Sequence, residues 1–167
     1  MDRQNGDGRM DEAAKKEALR LFTYGLYAVT CGGDGDRNAF TANWISQVSF
    51  DPPLVVVSVE NTSHSLPLIR QERRFGVNVF ASDERELSGK LGKGLEKHPE
   101  KLDGLRWETA SDGCPVLAEA PAWVACQVVG ELPAGDSTLV LGQVVDARVN
   151  RRVEPLTMLA AGFKHAG

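Results

Sequence analysis

Residues 38–65 read NAFTANWISQVSFDPPLVVVSVENTSHS, and the predicted architecture follows from this stretch. Residues 51–53 interrupt this stretch, because its two successive prolines have no N–H to donate to a sheet and keep the backbone extended. A strand is therefore predicted on each side. The apolar, β-branched run 54–58 predicts a strand that is buried on both faces. Short neutral polar side chains fill the stretch: Thr41, Asn43, Ser46, Gln47, Ser49, Ser58, Asn61, Thr62, Ser63 and Ser65. Such hydrogen-bonding groups between β-rich segments suit a ligand that is polar at its edges and flat in the middle.

The rest of the chain also reads mainly as strands. They are predicted over residues 26–31, 74–80, 105–109, 122–131 and 137–150, the last two as a long hairpin. Strands outnumber helices and no βαβ alternation is sustained, which predicts a mainly β fold, an antiparallel Greek-key barrel with a few peripheral helices. No G-x-G-x-x-G or P-loop sequence is present, so a nucleotide cofactor would have to be held in another way.

Helices are predicted at the periphery. Asp11 is a candidate N-cap for a helix over residues 12–22, with Ala14, Ala18, Leu21 and Phe22 on its buried side. Residues 63–72 predict a helix that begins with hydroxyl caps, and further helical turns are predicted from residues 82–87 and 155–162. Residues 91–104, rich in lysine and glycine, predict a mobile surface excursion rather than core. We expect one domain over residues 11–167, after a disordered tail of residues 1–10.

Composition excludes several classes of function. The 167 residues carry a formal net charge of −4 and a pI near 5.4, without a Lys/Arg cluster, which argues against a nucleic-acid partner. No apolar run is long enough to span a membrane and the N-terminus lacks a secretory core, so a cytoplasmic protein is expected. The three cysteines lack metal-ligand spacing; reduced thiols and no metal site are expected.

Several motifs in chain order carry a family resemblance. They are Tyr24-Gly25-Leu26-Tyr27-Ala28-Val29-Thr30, Thr41-Ala42-Asn43-Trp44, Gln47-Val48-Ser49-Phe50-Asp51-Pro52-Pro53, Asn61-x-Ser63-His64-Ser65, Phe75-Gly76-Val77-Asn78-Val79, Gly135-Asp136 and Pro155-Leu156. With these motifs the chain resembles the flavin reductase-like, FMN-binding split-barrel family over roughly residues 19–163. The resemblance implies a split β-barrel of the FMN-binding type, FMN or FAD as cofactor, and NAD(P)H as a co-substrate. It also implies a homodimer, whose second subunit helps to build the flavin pocket, and a partner monooxygenase or another electron acceptor.

The resemblance also implies where the flavin binds. The ring edge would run along Thr41, Ala42, Asn43, Trp44, Ser46, Gln47, Val48 and Ser49. The phosphate partners would be Ser58, Asn61, Ser63 and Ser65, with His64 between the two serines as a phosphate contact or a surface side chain. Ser63 and Ser65 lie where a helix begins, so free backbone N–H groups there favour an anion as well; taken alone, they could equally be caps of that helix.

One departure from the family pattern concerns turnover. Many members read Gly-Asp-His before the late strand, with the histidine on the nicotinamide side, whereas this chain reads Gly135-Asp136-Ser137. A non-catalytic flavin-binding redox carrier is therefore an alternative to a reductase. His165 is a further candidate for the flavin side. The sequence does not distinguish FMN from FAD or NADH from NADPH, and it leaves the final acceptor open.

Overall fold

The structure is a computed structural model, and it describes residues 10–164. Its helices are α1 (Glu12–Arg20), α2 (Ser65–Glu72), α3 (Arg85–Leu91) and α4 (Met158–Ala161), with a 3-10 turn at Pro99–Leu102. Its strands are β1 (Tyr27–Gly33), β2 (Asp36–Ala42), β3 (Ile45–Phe50), β4 (Pro53–Glu60), β5 (Arg74–Val79), β6 (Trp107–Thr109), β7 (Pro115–Leu117), β8 (Ala122–Ala134) and β9 (Ser137–Val149).

Seven strands form one antiparallel sheet in the order β2-β1-β5-β8-β9-β4-β3, and β6 pairs with β7 separately. The edge strands β2 and β3 would be about 29 Å apart in a flat sheet, at about 4.8 Å per strand. Only Asn43 and Trp44 separate them along the chain, a link that spans at most about 11 Å. The sheet therefore curls until its edges approach each other. Within residues 10–164 no ladder joins β2 to β3, so the curl stays open there.

The inside of the curl holds the larger core. Val57 of β4, Phe75 of β5 and Val140 of β9 are fully buried in it, and Ile69 of α2 packs among them. Helix α2 therefore closes one end of the curled sheet, because its apolar face has no other surface to cover. This placement brings the first residues of α2 next to β2.

A second core lies on the outer face of β1 and β2. Ala28 and Ala39 of these strands pack with Leu91 of α3, with Met158 of α4 and with Leu156, which precedes α4. Small residues on the strands let the helices approach closely. The helices and the segment after α3 thus stand beside β2, where they form the second wall of a cleft.

The structure confirms the mainly β, antiparallel prediction and the long hairpin, which is β8–β9. Helix α1 begins at the predicted cap, where Asp11 Oδ1 accepts from Ala13 N at 2.9 Å. The predicted buried side of this helix is wrong: none of its residues is buried, and Leu21, just past its end, is 82% exposed. The outer face of β1 and β2 is already covered by α3 and α4.

Segment 91–104 lies mostly at the surface, as predicted, but two of its residues are buried. Leu91 is fully buried and Lys101 is 2% exposed, because the 3-10 turn folds back on α3. No helix within residues 10–164 is long and apolar enough to cross a membrane.

Candidate functional site

A cleft of about 740 Å³ runs between β2 and the elements that face it. One wall is β2 with the Asn43–Trp44 link, and the other is formed by α3, the segment that follows it and Met158 of α4. The residues before α2 and the start of β9 complete the lining. The volume lies within the range of about 300–1,000 Å³ that is usual for sites of small molecules and cofactors.

The β2 wall is fixed by bonds to the opposite wall. Thr41 Oγ1 donates to the Ser88 carbonyl of α3 at 2.6 Å, and Asn43 Nδ2 contacts Met158 Sδ at 3.0 Å. The Trp44 carbonyl accepts from Ser58 N at 3.0 Å, and the Trp44 side chain remains 41% exposed at the cleft. These side-chain bonds hold the two walls in register.

The start of α2 supplies the polar end of the cleft. Ser63 Oγ accepts from Leu66 N at 3.3 Å, so this hydroxyl caps the helix as predicted. Ser65 is 1% exposed, and its Oγ accepts from Asn38 Nδ2 of β2 at 2.8 Å. His64 Nε2 lies 3.3 Å from Asp36 Oδ1 at the exposed rim. The backbone N–H groups that begin α2 and two serine hydroxyls thus meet at one place.

Asn38 is a site residue that the sequence analysis missed. It is 3% exposed and lines the cleft, and its Oδ1 has no hydrogen-bond partner among the described residues. Buried amide oxygens nearly always accept a hydrogen bond, so Asn38 Oδ1 is placed to accept one from a bound ligand. A partial signal was available in the quoted stretch, because Asn38 is followed directly by the apolar pair Ala39 and Phe40 in a predicted strand region.

Lys101 was missed as well. It lines the cleft, and its Nζ donates to the carbonyls of Lys93 at 2.8 Å and Leu91 at 3.3 Å. Burial lowers the pKa of the Lys101 amine. Nothing in the composition of segment 91–104 distinguishes this lysine from its exposed neighbours, so the sequence carried no signal for it.

The three cysteines are buried and free. Burial raises the pKa of Cys31 and that of Cys126 to about 12, and it raises the pKa of Cys114 as well. A thiol reacts as its thiolate, so none of the three is a nucleophile near neutral pH. They act as small apolar side chains of the core.

The turn between β8 and β9 carries Ser137, which is buried and lines the cleft. Its Oγ donates to Asp136 Oδ1 at 3.0 Å. Asn61 fastens this turn to β4: its Oδ1 accepts from Thr138 Oγ1 at 2.7 Å, and its N donates to the Asp136 carbonyl at 2.9 Å. Asn61 therefore positions the turn, and it lies outside the lining of the cleft.

The cleft brings together most of the residues that the sequence singled out. Those in its lining are Thr41, Ala42, Asn43, Trp44, Ser58, Ser63, His64, Ser65 and Ser137. Four others, Ser46, Gln47, Val48 and Ser49, lie on the edge strand β3 and outside the lining. Their polar groups bond locally, as Ser46 Oγ does to the Gln47 carbonyl at 3.0 Å. His165 lies outside the described residues. The roles of all these residues toward a ligand remain predictions.

Comparison with known proteins gives a consistent result. A family model described as "Flavin reductase like domain" matches residues 19–167. The chain is 30% identical over 148 residues to an FMN reductase (NADH) of Agrobacterium fabrum (strain C58), covering 89% of this chain and 82% of that protein. It is also 30% identical over 135 residues to the reductase subunit of a stachydrine N-demethylase of Rhizobium meliloti (strain 1021), covering 80% and 57% respectively.

Among solved structures, the flavin reductase PheA2 in its native state superposes with a TM-score of 0.77 at 30% identity, covering 95% of this chain and 99% of that one. The chain spans about half the length of two curated relatives that it matches, 42% of one and 57% of the other.

Proposed function

The chain belongs to the flavin reductase like domain family, and from that membership we propose that it binds FMN or FAD and reduces it with NADH or NADPH. The observation that carries the proposal is the cleft itself. Several motif residues line it together, among them Thr41, Asn43 and Ser65, although they come from separate strands and loops. Relatives named as flavin or FMN reductases with NADH support the same reaction.

The residues present fit a flavin. The volume is sufficient, and the lining combines apolar side chains such as Phe40 and Leu26 with hydroxyls at the start of α2. The unpartnered Asn38 Oδ1 offers an acceptor to a hydroxyl or N–H group of a ligand. Strand β2 pairs only with β1 among the described strands, so its other edge keeps backbone N–H and C=O groups for the polar rim of a ring.

The chemistry that a bound flavin supplies is hydride acceptance from a nicotinamide and delivery of electrons to an acceptor. The protein contributes binding and orientation. The bonds from Thr41 to Ser88 and from Asn43 to Met158 keep the walls of the cleft at a fixed separation. Ser63 and Ser65, with the start of α2, are suited to hold the phosphate group. No side chain is required as a general acid or base, since hydride transfer moves no proton through the protein.

Flavin titration followed by anaerobic stopped-flow mixing tests this function. We expect quenching of flavin fluorescence on titration with FMN or FAD, and bleaching of the bound flavin by NADH or NADPH. Failure of both flavins to bind at tens of micromolar would refute the proposal.

A second candidate, a flavin-binding redox carrier, is favoured by Ser137. This residue stands in the cleft where the resemblance implies a histidine, and its hydroxyl is committed to Asp136. A serine can donate a hydrogen bond but cannot stack on a nicotinamide ring or carry positive charge. Bleaching of the bound flavin by dithionite but by neither nicotinamide would establish this candidate in place of the reductase.

We also propose that the chain acts as a homodimer. The predicted ring-edge residues on β3 lie outside the cleft of a single chain, and Phe50 on the same strand is 92% exposed. Val48 on β3 and Leu132 on β8 are exposed as well, and a second copy would cover such apolar side chains. Sedimentation that shows a monomer of about 18 kDa with tight flavin binding would contradict the dimer.

Electron delivery to a partner oxygenase is part of the same proposal. A relative named as the reductase subunit of an N-demethylase supports it. We place the protein in the cytoplasm, because its three free cysteines are typical of a reducing compartment. Release of reduced flavin, or its transfer to an added oxygenase component, would be measured by coupled substrate oxidation.

A further inference from the structure

Met158 is the one methionine within residues 10–164 that lines the cleft, and only 8% of its surface is exposed. Its backbone is fixed on both sides. Met158 N donates to the Tyr24 carbonyl at 3.0 Å, and Phe163 N donates to the Met158 carbonyl at 3.2 Å. Thr157 Oγ1 caps α4 just before it by accepting from Ala160 N at 3.1 Å. These bonds hold the residue between the second core and the cleft.

The sulfur of Met158 lies at the boundary between the two walls. Asn43 Nδ2, from the link after β2, contacts Met158 Sδ at 3.0 Å, and Asn43 lines the cleft as well. A thioether sulfur is a weak hydrogen-bond acceptor, and it is readily oxidised to the sulfoxide. The fold therefore places an oxidisable atom in the wall of a cleft that fits a redox cofactor.

An oxidant for this sulfur arises from the proposed chemistry when dioxygen is the electron acceptor. Dioxygen takes two electrons and two protons from a reduced flavin and becomes hydrogen peroxide. The lone pair of Met158 Sδ then attacks one peroxide oxygen, and the O–O bond breaks. The departing hydroxide takes the proton of the sulfur-bound hydroxyl and leaves as water. The sulfur is thus oxidised by two electrons to the sulfoxide, and the peroxide is reduced.

Met10 provides a comparison within the same chain. It is 64% exposed, whereas Met158 is 8% exposed and lines the cleft. Peroxide in the bulk solvent would reach Met10 first, but peroxide formed inside the cleft would reach Met158 first. None of the three cysteines lines the cleft, and all three are buried. Met158 is therefore the sulfur nearest to the proposed source of peroxide.

A sulfoxide at Met158 would disturb the cleft wall in two ways. It would add a polar oxygen to the second core, where Met158 packs with Leu91 and Leu156, and burying an unpaired polar group is unfavourable. It would also replace the contact with Asn43 Nδ2, because the sulfoxide oxygen is the stronger acceptor and extends beyond the sulfur. The separation of the two walls would then change.

We propose that Met158 is a modification site, oxidised to methionine sulfoxide by hydrogen peroxide formed in the cleft during turnover, and that this oxidation weakens flavin binding. The inference rests on the proposed flavin-reducing function and adds to it a modification that limits wasteful turnover. A chain whose electrons pass to dioxygen loses activity, whereas a chain whose electrons pass to another acceptor keeps Met158 as the thioether.

The first test measures where oxygen is added to the wild-type chain. One sample turns over FMN with NADH or NADPH in air, with catalase present to destroy peroxide that reaches the bulk. A second sample holds FMN without nicotinamide and receives added hydrogen peroxide. Peptide mass spectrometry then gives the sulfoxide fractions of Met10 and Met158.

During turnover with catalase, the sulfoxide fraction of Met158 should exceed that of Met10 on the order of 10-fold, because the peroxide forms beside the sulfur. Added peroxide should give the reverse order. Protection of Met158 by catalase as complete as that of Met10 would overturn the inference, and so would an unmodified Met158 while the nicotinamide is consumed. If neither nicotinamide reduces the flavin, the proposed function fails and the inference fails with it.

The second test links the modification to flavin binding. Met158→Leu keeps an apolar side chain without an oxidisable atom, and Met10→Leu is the matched control. Each protein is assayed after turnover in air, and its rate is expressed as a fraction of its own initial rate. The wild-type chain and Met10→Leu should lose rate and bind FMN about 2- to 10-fold more weakly, as loss of one hydrogen bond does, whereas Met158→Leu should keep its initial rate. Methionine sulfoxide reductase should restore the wild-type chain. Equal losses in Met158→Leu and the wild-type chain would refute the effect on binding.

Discussion

Replacing Ser65 by alanine should destabilise the protein through its partner on β2. Ser65 is 1% exposed, and its Oγ accepts from Asn38 Nδ2 at 2.8 Å. Asn38 Oδ1 already lacks a partner among the described residues. In Ser65→Ala the buried amide would lose the one side-chain bond that ties β2 to α2.

The expected loss is about 1–3 kcal/mol, the cost of leaving a buried donor unsatisfied. For a chain of 167 residues this corresponds to a fall in Tm of about 2–4 °C per kcal/mol. Because the two side chains are hydrogen-bonded, we expect their effects to be coupled. The double variant Asn38→Ala/Ser65→Ala should lose less free energy of unfolding than the sum of the two single variants, by about 0.5–3 kcal/mol. Removing both partners leaves no unpaired donor behind.

Urea denaturation of the wild-type chain, the two single variants and the double variant measures these free energies. Ser63→Ala is the control, since Ser63 Oγ accepts only a cap bond of 3.3 Å from Leu66 N, and it should cost about 0.5–1 kcal/mol. Strict additivity of Asn38→Ala and Ser65→Ala would refute the reasoning, because it would mean that the two side chains do not interact in the folded state.

Gly142→Ala should lower the free energy of unfolding by at least about 1–3 kcal/mol, because a Cβ there would lie 2.6 Å from the buried Phe75 ring. Gly130→Ala should be nearly neutral, since its Cβ would meet nothing closer than 4.0 Å. Thermal unfolding of the two variants measures this difference. Ser137→His should raise the rate of flavin bleaching by NADH or NADPH in stopped-flow mixing, and an unchanged rate would exclude this position from the nicotinamide side. Ellman's reagent should label the native chain slowly at pH 8 and label three thiols per chain after unfolding, since burial raises the pKa of each cysteine; fast labelling of the folded protein would contradict this.

The sequence predicted the elements where a local pattern was strong. The prolines at 52–53 divided β3 from β4, and the apolar run after them formed a strand. Its predicted burial on both faces is wrong, because only the face of Val55, Val57 and Val59 is buried. Helix α2 was expected at its observed place, because the capping serines and the glycine-free apolar pattern after them both indicate a helix that starts near residue 63. Helix α1 was also found, yet its predicted buried face is exposed. A helix's amphipathic pattern is local, but the surface that covers it depends on which sheet faces remain free.

For the cleft, the sequence identified the hydroxyls and amides of residues 41–65, since they are concentrated in one stretch. It did not identify Asn38 or Lys101, which are 63 residues apart in sequence and line the same cleft only in the fold. Composition made segment 91–104 read as surface. Lys101 is buried there because two backbone carbonyls of the same segment accept hydrogen bonds from its ammonium group. No pattern of residue types predicts these bonds.

Local patterns in the sequence therefore predict the mainly β character, the positions of most strands and the polar stretch that lines one wall of the cleft. These follow from residue spacing, proline geometry and capping, which act over a few neighbouring positions. Only the folded chain brings the two edge strands together, places the start of α2 beside β2 and buries Lys101 in the wall of the same cleft. Each of these depends on contacts between residues distant in sequence, and their free energy is set by the burial and pairing that only the assembled fold provides.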